Sequence, residues 1–131
     1  MTTGYSSTLR TAQLDPITTA VGSAGLLRIY DGARPATGGA ATVKLAEFTL
    51  GSPFAPGAAA AVLSPTIPSS TTGLAASTAT WFRVVTSGGT QVIDGSVTAS
   101  GDGGDLQLNT TTISIGLTIT VSSWTITRGN A

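Results

Sequence analysis

The sequence predicts a mainly all-β protein, an antiparallel β-sandwich or jelly-roll-like fold with a short N-terminal helical segment. Three observations carry this. Short runs of β-branched and aromatic residues recur along the 131 residues, each bounded by Gly or Pro turns. Thr, Ser and Gly are abundant, and the Glu/Lys/Arg/Leu background that sustains helices is missing. The stretch ATWFRVVTSGGTQVIDGSV, residues 79–97, reads as two strands joined by a tight turn at Ser87, Gly88 and Gly89. Eight or so strands at such spacing suit a sandwich or jelly roll, and no repeat of fixed period points to a solenoid or propeller.

Residues 1–22 read as an N-terminal arm and residues 23–131 as a single domain. Leu9, Ala12 and Gln13 or Leu14 recur at helical spacing, with Ser6 or Ser7 as the cap. Asp15-Pro16 fits a restart, Asp15 capping and Pro16 opening a second short helix that Gly22 ends. A helical pair is therefore expected, covering one edge or end of the sheets.

Residues 26–30, LLRIY, form the first strand, with Leu27 and Ile29 on one face. The stretch ARPATGGAA is a loop by composition. A second strand runs over 43–50, and Ala46, Phe48 and Leu50 oppose Lys44 only if the register slips once. A bulge or an edge position is expected there. Pro53 and Pro56 flank Phe54, which reads as a core anchor. Residues 58–63 read as a short strand and 64–77 as a loop with a brief strand at 66–68.

The hairpin follows, its return arm at 91–97 and a bend or bulge at Asp94-Gly95. The stretch SGDGGD, residues 100–105, is a turn, and Leu106 and Leu108 belong to the next strand. Ile113, Ile115, Leu117, Ile119 and Val121 alternate strictly on one face, with Gly116 as a potential break. Trp124 and Ile126 then change parity, which predicts a bulge or turn at Ser122-Ser123 and a last strand ending near Thr127.

Charge and composition exclude several functions. Only 9% of residues are charged, and six basic residues cancel six acidic ones. Nucleic acid is not an expected partner, because a phosphate backbone needs clustered Lys and Arg, and Lys44 and the arginines are scattered. A surface this poor in charge predicts coverage by partner subunits or by copies of the chain. No apolar run approaches a membrane span, and the N-terminus lacks the pattern of a signal peptide, so synthesis in the cytosol is expected.

Histidine and cysteine are absent, which removes the usual catalytic triads, the common general base and zinc sites of usual ligand type. No enzyme, catalytic residue, cofactor or metal is expected. Glu47 is the single Glu. Asp15, Asp31, Asp94, Asp102 and Asp105 each sit beside Gly or Pro and read as turn residues. Asp94, Asp102 and Asp105 supply hard oxygens for a Ca²⁺ ion, but their spacing is not that of a calcium loop. Lys44 reads as an edge charge. The Gly pairs at 38–39, 88–89 and 103–104 precede no helix bearing Lys-Ser/Thr and are not phosphate cradles. Trp81 and Trp124 would stack a sugar only if exposed, and strand aromatics in a small core are usually buried.

Taken together, LLRIYDGARPATGG, KLAEFTL, TATWFRVV, QVIDGSV, DLQLN and SSWTITRGNA resemble a family of short proteins encoded in tailed bacteriophages and prophages. The resemblance covers nearly the whole chain. Its landmarks are Tyr30-Asp31-Gly32, Pro35 with Gly38-Gly39, Trp81-Phe82-Arg83, Ile93-Asp94-Gly95 and Thr127-Arg128-Gly129-Asn130. It implies a virion component, made in the bacterial cytoplasm and carried on the particle. The expectation drawn from it is a capsid decoration or cement protein on the outer capsid surface. Its partners would be the major capsid protein and copies of itself, a trimer suiting a threefold position. Residues 1–21, 31–42 and 64–77 are the expected contacts. A tail, baseplate or fibre-associated β-module is the alternative, and a carbohydrate-binding module using Trp81 or Trp124 is a third reading.

Overall fold

The computed structural model describes residues 3–128. Among the described residues one helix, α1 (Ser7–Val21), precedes eleven short strands. These are β1 (Leu26–Asp31), β2 (Lys44–Thr49), β3 (Val62–Leu63), β4 (Thr71–Thr72), β5 (Ser77–Val85) and β6 (Gln91–Ala99), then β7 (Leu106–Leu108), β8 (Thr112–Ile113), β9 (Thr118–Ile119), β10 (Val121–Trp124) and β11 (Ile126–Thr127). The expected mainly β architecture with one helical segment near the N-terminus is present.

The main sheet has the order β10-β7-β6-β5-β1-β2, with β8 joining the start of β5. Two small ladders, β3 with β11 and β4 with β9, close the other side of the core. Leu63 and Ile119 from these ladders enter the same buried cluster as Leu27, Ile29, Phe48, Phe82 and Val84 from the sheet. Burying each such side chain contributes about 1.5–3 kcal/mol, which drives the sheet to curl over them. Phe54 is fully buried, as its flanking prolines suggested, and packs edge-on against Trp124, whose indole also meets Phe82 at a ring separation of 5.5 Å.

The central hairpin forms as expected. Its three-residue loop is closed by Thr86 N–H donating to Thr90 O at 2.9 Å, and Gly89 takes φ +92°. The return strand continues unbroken through Asp94-Gly95 to Ala99, so the bend expected there is absent. Gly95 serves a different purpose: the ring of Phe82 occupies the space a Cβ would need.

Both register slips expected from side-chain parity occur. Ile29 opposes Ala46 but Tyr30 opposes Lys44, so Leu45 is bulged out of the β1/β2 ladder and both Leu45 and Ala46 are buried. The second slip lies between Val121 and Ser123 in the β10/β7 ladder.

Five further expectations are corrected. The N-terminal helical pair is one helix running through Pro16. Ser6 caps it, its hydroxyl accepting from Leu9 N–H, and Gly22 ends it at φ +72°. The carbonyl that Pro16 leaves without a donor belongs to exposed Ala12, where water can serve it, and Leu14, Ile17 and Val21 keep one stripe toward the core. Asp15 is therefore not a cap; its carboxylate accepts from Ala58 N–H at 2.8 Å.

Residues 58–63 form strand only at the last two positions, because Ala60 and Ala61 take positive φ and turn the chain. The brief strand in the following loop is Thr71–Thr72 rather than 66–68. The long alternating run is also broken, since Gly116 at φ +81° and a Leu117 N–H to Ser114 O bond make a tight turn that throws Ile115 outward. Finally, β6 and β7 are parallel while every other strand pair is antiparallel among the described residues, so the main sheet is mixed.

Candidate functional site

The outer face of the main sheet carries a row of charge across four strands. The registers set Glu47 of β2 opposite Arg28 of β1, Arg28 opposite Arg83 of β5, and Arg83 opposite Asp94 of β6. Each arginine turns to the acid on its outer side. Arg83 Nε and Nη2 grip the two Asp94 oxygens at 2.7 and 2.9 Å, and Arg28 Nε donates to Glu47 Oε2 at 2.9 Å. Lys44 Nζ reaches the same Glu47 oxygen at 3.0 Å, so the lysine is an edge charge with a partner.

The Arg83–Asp94 end lies beneath the loop between β1 and β2. Gly38 N–H donates to Asp94 Oδ2 at 3.0 Å, and Arg83 Nη2 donates to Gly39 O at 2.8 Å. Trp81 stacks on Tyr30 with ring centroids 4.4 Å apart and donates its indole N–H to Asp31 O and Thr42 Oγ1, both at 3.0 Å. The Arg83 guanidinium also lies 5.1 Å from the Trp81 ring centroid. Tyr30, Asp31, Gly38, Gly39, Trp81, Arg83 and Asp94, which are far apart in sequence, thus converge on one clamp. Gly129 and Asn130 of the last landmark lie outside the described residues.

Burial works to raise the Asp94 carboxyl, but hydrogen bonds from Arg83 and Gly38, with the guanidinium charge, hold it below the ordinary carboxylate range. Glu47 follows the same pattern: burial opposes, and the bonds from Lys44 and Arg28 win. Arg83 is raised by its bond to Asp94 against the opposing effect of burial. These carboxylates are committed to cations on their own sheet.

Asp94, Asp102 and Asp105 do not come together. Asp94 is held by Arg83, Asp105 accepts from Ser96 N–H and Oγ, Asp102 is exposed, and among the described residues no group of three or more potential ligands forms. Trp81 and Trp124 are both buried, so neither offers a face to a sugar, and the carbohydrate reading built on them loses its platform.

Of the expected contact segments, 1–21 supplies a helix docked on the body. Arg10 Nη1 donates to Arg128 O, Thr11 Oγ1 accepts from Ala61 N–H, and Leu14 and Val21 are buried. Segment 31–42 is held on the Arg83–Asp94 pair through Gly38 and Gly39, whereas 64–77 meets β2 and the turn after β8. Leu74 N–H donates to Leu45 O, Gly73 N–H to Leu117 O and Gly116 N–H to Gly73 O, each within 3.0 Å. Three adjacent segments therefore carry exposed apolar side chains: Val43 (53%), Leu74 (50%) and Ile115 (77%). Sequence parity set Ile115 on one face with Ile113 and Ile119, and the turn at Gly116, the potential break, separates it from them. No family model matches this chain, and no curated protein or solved structure matches it at a significant level.

Proposed function

We propose that this chain is a structural protein of a tailed-bacteriophage particle, a capsid decoration (cement) protein that binds the outside of the major capsid protein lattice and stabilises the head. The observation that supports this reading is the end bearing Val43, Leu74 and Ile115, exposed apolar side chains on three hydrogen-bonded segments of a chain with only 9% charged residues. Such an end suits a repeated partner. Each contact can be small, because a lattice multiplies it by the number of copies bound. The role needs no catalytic residue or cofactor, and copies of the chain at a threefold position would share the same surface.

The test is a cryo-electron-microscopy map of the intact particle at a resolution where this chain can be fitted. Density repeated over the icosahedral shell, with residues 43, 74 and 115 facing the capsid floor, is expected. Density confined to the tail or portal axis overturns the decoration reading in favour of a tail or baseplate module.

A further inference from the structure

A cleft runs beside β6. The strand β7 lies between β6 and β10, but it pairs with β6 only at Val97, Thr98 and Ala99. Before Leu106 the chain turns away, Gly104 N–H donating to Thr98 Oγ1. The edge of β6 before Ser96 therefore faces β11 with no strand between them among the described residues. A cleft of about 190 Å³ lies there, lined by Phe82, Ile93, Gly95, Trp124 and Ile126, with Asp105 at one end.

The backbone on both walls is turned into the cleft. Leu50 N–H donates to Gly25 O, so in the antiparallel alternation Arg28 faces β5, Arg83 faces β1, and Asp94 faces away from both. Ser96 confirms the parity, since its N–H points to Asp105 rather than to β5. On the other wall, Arg128 N–H donates to Ala61 O, so Ile126 faces β3 while Thr125 and Thr127 face the cleft. Neighbouring strands are spaced about 4.8 Å apart, and β7 already fits between β6 and β10 at the next step along. The floor is apolar, Asp105 is exposed at its end, and the Asp94 carboxylate is bound to Arg83 on the outer face.

We infer that this cleft is a peptide-binding site that takes a short extended segment by strand addition. Asp94 and Thr127 supply the backbone hydrogen bonds, apolar or β-branched side chains pack against the half-buried Ile93 and Ile126, and the ammonium of a free amino terminus meets Asp105. This inference is independent of where the protein sits on a particle.

The probe is Val-Thr-Val-Thr-Val amide with a free amino terminus, titrated into the ¹⁵N-labelled full chain and compared with its N-acetylated form. Shifts at Asp94, Gly95, Thr125, Thr127 and the Trp124 indole are expected, with affinity about tenfold weaker for the acetylated peptide or for Asp105→Asn. Thr127→Pro removes a donor that faces the cleft while leaving the β3 ladder intact, so it should abolish binding with an unchanged spectrum elsewhere. Equal affinity for the free and acetylated peptides, shifts confined to other surfaces, or no shifts at millimolar peptide overturn the inference. So does an Asp94 amide already protected from hydrogen exchange in the free protein.

Discussion

Arg83 and Asp94 stand opposite one another on β5 and β6 and join in a two-pronged ion pair, with side chains only 9% and 1% exposed. The pair holds more than itself. Each partner spends a further bond on the loop after β1, Asp94 accepting from Gly38 and Arg83 donating to Gly39, so the shape of that loop is a property of the sheet beneath it.

Removing one partner should therefore cost more than a surface ion pair. Arg83→Met leaves a buried carboxylate without its cation, and a loss of about 3–5 kcal/mol in urea unfolding is expected. Arg83→Met with Asp94→Leu should recover much of that loss while leaving residues 36–40 faster in hydrogen exchange. A double variant no more stable than the single one would show that the pair is not the unit.

Acid should weaken the fold through the same carboxylates. Asp94 and Glu47 are held below the ordinary carboxylate range in the folded chain, so protons bind the unfolded chain more readily. Their contribution is fully present above the unfolded carboxylate value of about 4 and is lost as pH falls through the folded values. Unfolding free energy measured from pH 7 to pH 2.5 should drop below pH 4, and Asp94→Asn should flatten that drop.

Two glycines should respond differently to alanine. At Gly116 a Cβ meets open space, but φ is +81°, so about 1–2 kcal/mol is expected. At Gly73 a Cβ would press into Ser114 O, a backbone atom that cannot swing aside, so the cost should be about 3 kcal/mol. Thermal melts of Gly116→Ala and Gly73→Ala give the order directly.

The apolar end can be tested without disturbing the core. Ile115→Asp and Leu74→Asp alter exposed side chains, so stability should stay within about 0.5 kcal/mol of the parent. Co-sedimentation with particles lacking this protein should fall strongly for both. Unimpaired sedimentation would remove this end from the binding surface. Deleting residues 1–21 is a poorer test, because Leu14 and Val21 are part of the core.

Much of the fold was legible locally. The hairpin, the strand at 26–30, the anchor at Phe54 and both register slips follow from turn residues and side-chain parity, because a strand with one buried face must alternate and a break in alternation must be absorbed by a bulge. Parity failed where it could not see an ending. Residues 113–121 alternate as one strand would, yet Gly116 turns the chain, and the same odd-numbered positions then point in different directions. Pro16 misled for a related reason: as the start of a helix and as an exposed interior position it looks the same in sequence, and only the packing of Leu14 and Val21 keeps the helix continuous.

The sequence by itself determined the β class, the central hairpin turn, and the poverty of charge and of catalytic side chains. Tertiary structure alone decided the partners. Which acid Arg83 meets, that β7 runs parallel to β6 and leaves a gap beside it, and that Ile115 lies outside depend on segments brought together from across the chain. Local preference sets the direction of a side chain within its own strand, while its neighbour is set by long-range pairing, whose register follows from burying the common core.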